Sequence, residues 1–178
     1  KVDPKKVARK LDNLVVSDEM TSGSDRDAFY HWNDADGDGC DARDEVLQRQ
    51  NYKKHAVCGS DQGKWVSAYD GMTTRDAGEF DVDHMVPLAE AWGSGAYQWD
   101  ADKREAYAND MTGYTLIAVS ATSNRSKSDQ DPAEWLPENK SFLCQYAARW
   151  VMVKSEWNLT IDPKEKKAIS NIFKACKK

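Results

Sequence analysis

Asp83 and His84 stand side by side in the chain, and Asn124 follows farther along. Together they offer a base, an anionic oxygen and a neutral oxygen. Hydrolysis of a phosphodiester with one divalent cation needs three things: a group that takes a proton from water, hard oxygen ligands that leave the cation its charge, and that cation beside the leaving oxygen. His84 fits the first task, and Asp83 and Asn124 fit the second. So small a protein donor set suits Mg²⁺, which keeps several waters and takes further ligands from substrate phosphate.

A second constellation is independent of the first. Asp34, Asp36, Asp38, Gly39 and Glu45 match the spacing D-x-[DN]-x-[DN]-G-x5-E of an EF-hand calcium loop. The three Asp carboxylates, the Cys40 carbonyl and a bidentate Glu45 would enclose Ca²⁺, with Gly39 making the sharp turn. Asp41 stands where an apolar residue is usual, and no convincing helix leads in. The expectation is therefore an EF-hand-like loop and not an EF-hand pair. Without a cation the alternative is an acidic, solvated loop.

The elements that must position these groups follow from periodicity. Residues 4–16 place Val7, Leu11, Leu14 and Val15 at helical spacing behind Pro4, and 18–28 read as loop. Helix-forming composition returns at 42–50, and 56–72 read as short strands. Residues 79–88 alternate as a strand running into a bend at Pro87; 101–109 form a short helix, and 114–119 a buried strand. Asn124 then falls in a polar turn before a helix. Residues 142–157 and 163–176 are two closing helices, the second with Pro163 in its first turn. Strand, strand, helix is a frame that brings the end of the first strand beside the start of the helix. The fold class is α+β, with flanking helices and short strands.

The chain has 178 residues, which suits one domain over 1–178 by the prior of about 150 residues per domain. Its segments are an N-terminal helix and loop (1–27), the acidic loop (34–45), the strand–helix core (79–135) and the C-terminal helices (142–176). No apolar run approaches the roughly 18 residues of a membrane span, so no membrane is expected as partner. Net charge is −5, divided into −7 over residues 1–90 and +2 over residues 91–178, so a polyanion should meet the second half. An acidic chain is ill suited to coating nucleic acid, whereas an enzyme that releases a polyanionic product has no such need. A monomer is expected.

Four cysteines occur without a C-x-x-C pair, which argues against a zinc ribbon and for disulfides in a secreted protein. Cys40–Cys58 and Cys144–Cys176 close the shortest loops and are the expected pairs. The opening on Lys1 fits a mature or a trimmed form. His31 and His55 read as structural or solvent-facing, and Trp92, Trp99, Trp135 and Trp150 as packing residues. Lys127 and Arg125, beside Asn124, are candidate phosphate contacts. Arg43 either braces the fold or clamps a phosphate, and Glu90 is a weaker metal candidate. Three Asn-x-Ser/Thr triplets, at Asn124, Asn139 and Asn158, read as chance.

Around these residues the sequence resembles the HNH, or ββα-metal, endonucleases, in the secreted branch related to the C-terminal nuclease domain of a type IV restriction system. The resemblance is carried by D-V-D-H-M-V-P-L-A-E-A-W-G-S-G-A (81–96), Y-A-N-D (107–110) and T-L-I-A-V-S-A-T-S-N-R-S-K-S-D-Q-D-P-A-E-W (115–135), with G-C-D-A-R-D-E-V-L (39–47) and C-Q-Y-A-A-R-W-V-M-V-K (144–154) in support. It covers roughly residues 28–176. It implies a ββα-metal core in which His84 is the general base and Asp83 and Asn124 bind catalytic Mg²⁺ or Mn²⁺. It also implies 5′-phosphate ends. DNA is the expected substrate, with RNA as a second candidate, and little sequence specificity is expected because the chain shows no helix-turn-helix signature, zinc finger or long basic arm. Many such proteins carry a second Asn or His in mid-motif that orients the base. Here the strand begins with Thr115, and a backbone carbonyl near it is the expected substitute.

Two other readings compete. One is a non-catalytic, calcium-dependent binding protein of the cell surface, in which the acidic loop is the working element. The other is a nuclease toxin. Plasmid nicking on addition of Mg²⁺ at constant Ca²⁺ separates the first rival from the enzyme.

Overall fold

The protein is described by a computed structural model covering residues 1–176. Its first helix, α1 (Pro4–Asn13), starts where the Asp3 carboxylate accepts a hydrogen bond from the Lys5 amide at 2.9 Å, with Pro4 in the first turn. It buries Val7 and Leu11 against the last two helices, α6 (Leu143–Glu156) and α7 (Pro163–Ala175). The expected helix to Val16 stops short, because Val16 instead pairs with Ile161 as an isolated bridge. Asp162 and Glu165 close a capping box at the start of α7. The Cys144–Cys176 disulfide ties the start of α6 to the end of α7, and Cys40–Cys58 ties the acidic loop to the chain beyond α2 (Ala42–Gln50). Both pairings are those expected from loop length.

Two antiparallel pairs make up the β structure. β1 (Gln62–Val66) pairs with β2 (Thr73–Asp76), which lies past the stretch read as strand from sequence. β3 (Phe80–His84) pairs with β4 (Leu116–Ser120), with Asp83 opposite Ile117 and His84 opposite Leu116. Helix α3 (Leu88–Gly93) begins directly after Pro87, and α4 (Ala101–Ala108) is capped by the Asp100 carboxylate. α5 (Ala121–Lys127) follows β4 with no intervening turn, capped by the Ser120 hydroxyl, and packs back on both strands. Asn124 is therefore inside this helix, not in a turn before it. The polar run that reads as loop is helical because Ser120 caps it and the sheet covers one face.

Side-chain alternation divides the β3–β4 pair. Phe80, Val82 and Ala118 pack with Val46, Leu47 and Trp65 under α2, while Ile117 and Val119 join the main core around Tyr107, Tyr146 and Trp150. Asp81 and Asp83 lie on the α5 face. The main core also encloses charge. Lys154 is fully buried, with its Nζ 2.8 Å from Glu90 Oε1, 2.6 Å from Glu165 Oε1 and 2.7 Å from the Thr160 carbonyl. Glu90 thus pairs α3 with α6, and its carboxylate also belongs to a group with Glu19, Asp131, Asp162 and Glu165 in which one oxygen of each lies within 4.8 Å of the others.

Candidate active site

His84 ends β3 with its ring between two aromatic planes. Trp32 lies on one side, with centroids 5.5 Å apart and planes 16° apart, and Tyr107 at 6.3 Å and 20°. Nε2 is 2.8 Å from the Ala108 carbonyl at the end of α4. A carbonyl only accepts, so Nε2 carries the proton of the neutral ring and the lone pair sits on Nδ1. Burial pushes the imidazole down to about 3, partly offset by the Ala108 carbonyl. At neutral pH the ring is an uncharged acceptor, the state a general base requires. The orienting group is a backbone carbonyl, as expected, but it comes from Ala108. Thr115 spends its hydroxyl on Asp110 and its carbonyl on the Met85 amide.

Asp83 is 7 % exposed. Its Oδ2 accepts from the Tyr69 hydroxyl and from Lys127 Nζ, both at 2.7 Å. Burial raises the Asp83 carboxyl while the Lys127 ammonium acts against it; burial likewise lowers the Lys127 amine. Lys127, expected at the phosphate, is fully buried and also donates to the His84 carbonyl at 2.9 Å. Its correct place is beneath the site: it neutralises Asp83 and ties α5 to the end of β3. A polar run next to Asn124 hid this, although Ser123 and Lys127 fall on one helix face.

Asn124 donates from Nδ2 to Asp81 Oδ2 at 2.9 Å, which leaves its carbonyl oxygen for another partner. Asp81 was not anticipated, yet it fixes which way the Asn124 amide faces. Arg125 is exposed and lies 3.7 Å from the same Asp81 oxygen. Asp83, His84, Asn124 and Arg125 line one cavity of about 480 Å³, together with Arg26 and Asp129. Arg43 lies elsewhere: it lines a separate cavity under α2 and donates to the Phe80 carbonyl at 3.3 Å. It braces the fold at that point. His55 is exposed as expected, but His31, expected outside the frame, has its ring edge-on to His84 with centroids 6.2 Å apart. Trp150 is fully buried and Trp92, Trp99 and Trp135 pack on the same core, consistent with their scaffold reading.

The donor set suits a hard divalent cation. Asp83 keeps one carboxylate oxygen beyond those held by Tyr69 and Lys127, and Asn124 keeps its carbonyl. In the acidic loop, Asp34, Asp36 and Asp38 can bring one carboxylate oxygen each within 4.8 Å of the others. Asp34 accepts from the amides of Gly37 and Gly39, both at 2.9 Å, and Gly39 takes φ +90°, a turn that needs glycine. Glu45, on α2, is outside that trio. Partial burial raises its carboxyl, and the charges of Asp36 and Asp38 add to the effect. Cys40 is anchored by its disulfide and its amide donates to Asp38.

A mixed α+β domain with a strand–strand–helix unit around a polar, oxygen-rich cavity is the class of protein defined by this geometry. The chain belongs to the family of GmrSD restriction endonucleases, C-terminal domain, which it matches over residues 22–172. It is also similar to an uncharacterized secreted protein of Arthroderma benhamiae, 39 % identical over 156 residues, covering 86 % of this chain and 76 % of that one. No solved structure matches it. The family is of nuclease type. The two disulfides and the secreted relative place the protein outside the cell; among the described residues no helix is long and apolar enough to cross a membrane.

Proposed function

We propose that the protein is a secreted, metal-dependent HNH endonuclease that hydrolyses phosphodiester bonds in DNA, and in RNA as second substrate, with little sequence specificity and 5′-phosphate ends. The observation that carries this reading is the convergence of Asp83, His84 and Asn124 on one cavity from the end of β3 and the middle of α5. His84 takes a proton from the attacking water at Nδ1. The Ala108 carbonyl and the two flanking rings hold the imidazole still while it does so. Asp83 and Asn124 hold Mg²⁺ or Mn²⁺, which supplies positive charge for the leaving oxygen. Tyr69 and Lys127 fix Asp83, and Asp81 fixes Asn124, as outer partners of ligands commonly do. Arg125 offers a phosphate contact at the rim.

Replacing Asp83 or Asn124 by Ala is expected to abolish Mg²⁺-dependent cleavage, with part recovered in excess Mn²⁺. The test is digestion of duplex DNA, single-stranded DNA and RNA with Mg²⁺, Mn²⁺ or chelator. Full activity of both variants in Mg²⁺ would refute the ligand assignment. Asp83→Ala also strands Lys127 without its carboxylate, so Asn124→Ala is the cleaner probe.

In the same reading the acidic loop binds Ca²⁺ through Asp34, Asp36, Asp38, the Cys40 carbonyl and Glu45. A cation held only by the folded state stabilises it by about 2.7 kcal/mol at a hundredfold excess over its dissociation constant. Mg²⁺, bound to its octahedral waters, should stabilise much less. Asp36→Ala with Glu45→Ala should remove the calcium shift. An identical melting temperature in Ca²⁺ and in chelator would show an acidic loop and nothing more.

A further inference from the structure

The segment before the acidic loop is bolted to α4. Phe29 is 1 % exposed and meets Trp92 and Tyr107 edge-on, with centroids 6.5 and 6.2 Å away. Arg104 Nε donates to the Ala28 carbonyl at 3.1 Å, and Asn109 Nδ2 to the Tyr30 carbonyl at 2.8 Å. The Asn33 amide donates to Asn109 Oδ1 at 3.1 Å, and its side chain donates to Glu105 Oε1 at 2.8 Å. Trp92 belongs to α3; the other partners all belong to α4 or its C-terminal cap, the stretch whose Ala108 carbonyl holds His84. One helix end therefore positions the base and the 28–33 segment together. The segment delivers Trp32 to the face of His84 at φ +58°, a conformation that a tryptophan adopts only when its surroundings impose it.

The turn Arg26–Ala28, which leads into this segment, brings Arg26 to the cavity wall. His31 Nδ1 is 2.8 Å from the Phe29 carbonyl, which places the neutral ring's proton there and leaves Nε2 to accept from Arg26 Nη2 at 3.4 Å. Among the described residues this is the only side-chain hydrogen bond of Arg26, and no carboxylate lies within 4.0 Å of its guanidinium. The other cations near the catalytic trio differ. Arg125 is partnered by Asp81, and Lys127 is sealed under Asp83. A guanidinium has five donors in a fork that fits phosphate oxygens. Of the cavity's cations, Arg26 has its charge least committed to the protein.

We propose that Arg26, held at the cavity by His31, binds a non-bridging oxygen of the phosphate under attack and is a further catalytic residue of the site. This rests on the nuclease reading. The substrate group is the nucleic-acid phosphodiester, whose oxygens gain negative charge as water adds. A donor fixed in place before that charge appears contributes more to turnover than to initial binding.

The test measures cleavage of a short duplex DNA in Mg²⁺ by the wild type, R26A, R26K, H31A and H84N. Arg26→Ala should lower kcat/KM about 10²-fold, mainly through kcat, with an unchanged melting temperature. Arg26→Lys should keep part of the rate, because its point charge lacks the fork. Millimolar guanidinium should restore part of the R26A rate, which no merely structural role explains. H31A should lower kcat less than R26A does. The proposal is overturned if R26A stays within about threefold of wild type while H84N is inactive. It is equally overturned if the R26A loss comes with a lower melting temperature and no guanidinium rescue. Absence of metal-dependent cleavage by the wild type is a different failure: it removes the nuclease reading itself.

Discussion

Replacing His84 by alanine is expected to lower turnover by about 10²–10⁴-fold, the usual cost of losing a general base, while binding of nucleic acid survives. The structure shows how to make that measurement clean. His84 is 5 % exposed, sits between Trp32 and Tyr107 and donates to Ala108. Alanine therefore opens a gap between two rings and strands a carbonyl, so some stability is lost along with the base. Asparagine fills more of that gap than alanine does but cannot take a proton near neutral pH. Both variants should lose cleavage to a similar degree, with H84N melting closer to the wild type. Single-turnover cleavage of duplex DNA by preparations matched for folded fraction decides it. If H84N cleaves as fast as wild type, His84 is not the base.

The distribution of what could be read in advance has a physical pattern. Helices α2, α4 and α7 lie close to their expected bounds, because an acidic cap and a run of helix formers are local signals. The disulfides follow from loop length. The partners of the site residues are not local. Ala108 orients His84 across 24 positions, and Lys127 reaches Asp83 across 44, with no sequence period joining them. Lys127 misleads for a further reason: lysine is almost never fully buried unless paired, so a polar neighbourhood reads as surface. A charge argument reaches it. A carboxylate set into a buried strand requires a counter-ion, and the nearest cation on the inward face of the next helix is Lys127. Arg26, His31 and Trp32 carry no local signal, since contacts from α3 and α4, distant in the sequence, bring their segment to the cavity.

Replacement of Lys154 by methionine is expected to destabilise the fold by about 3–5 kcal/mol at pH 8 and above, the range for removing one member of a buried ion cluster. Lys154 is the ammonium on which Glu90 and Glu165 both depend, and Trp150 Nε1 donates to Glu165 at 2.6 Å. Burial pushes each of these two carboxyls up to about 8, even with the lysine pulling them down. A carboxyl raised in the folded state holds its proton longer there than in the unfolded chain. Its favourable contribution is complete below the unfolded value of about 4.5 and is lost as pH rises through about 8. The wild type should therefore weaken over that window. Lys154→Met should steepen the fall, because the carboxyls then ionise with no cation beside them. Near pH 5 they stay protonated and can hydrogen-bond, so the cost of the substitution should shrink. Adding Glu165→Gln, which keeps an acceptor for Trp150 and removes one charge, should recover part of the loss at pH 8 and little at pH 5. Urea unfolding of the wild type, the single and the double variant at both pH values tests this. An equal cost for Lys154→Met at pH 5 and pH 8 would mean that lost packing, and not unpaired charge, is what the lysine prevents.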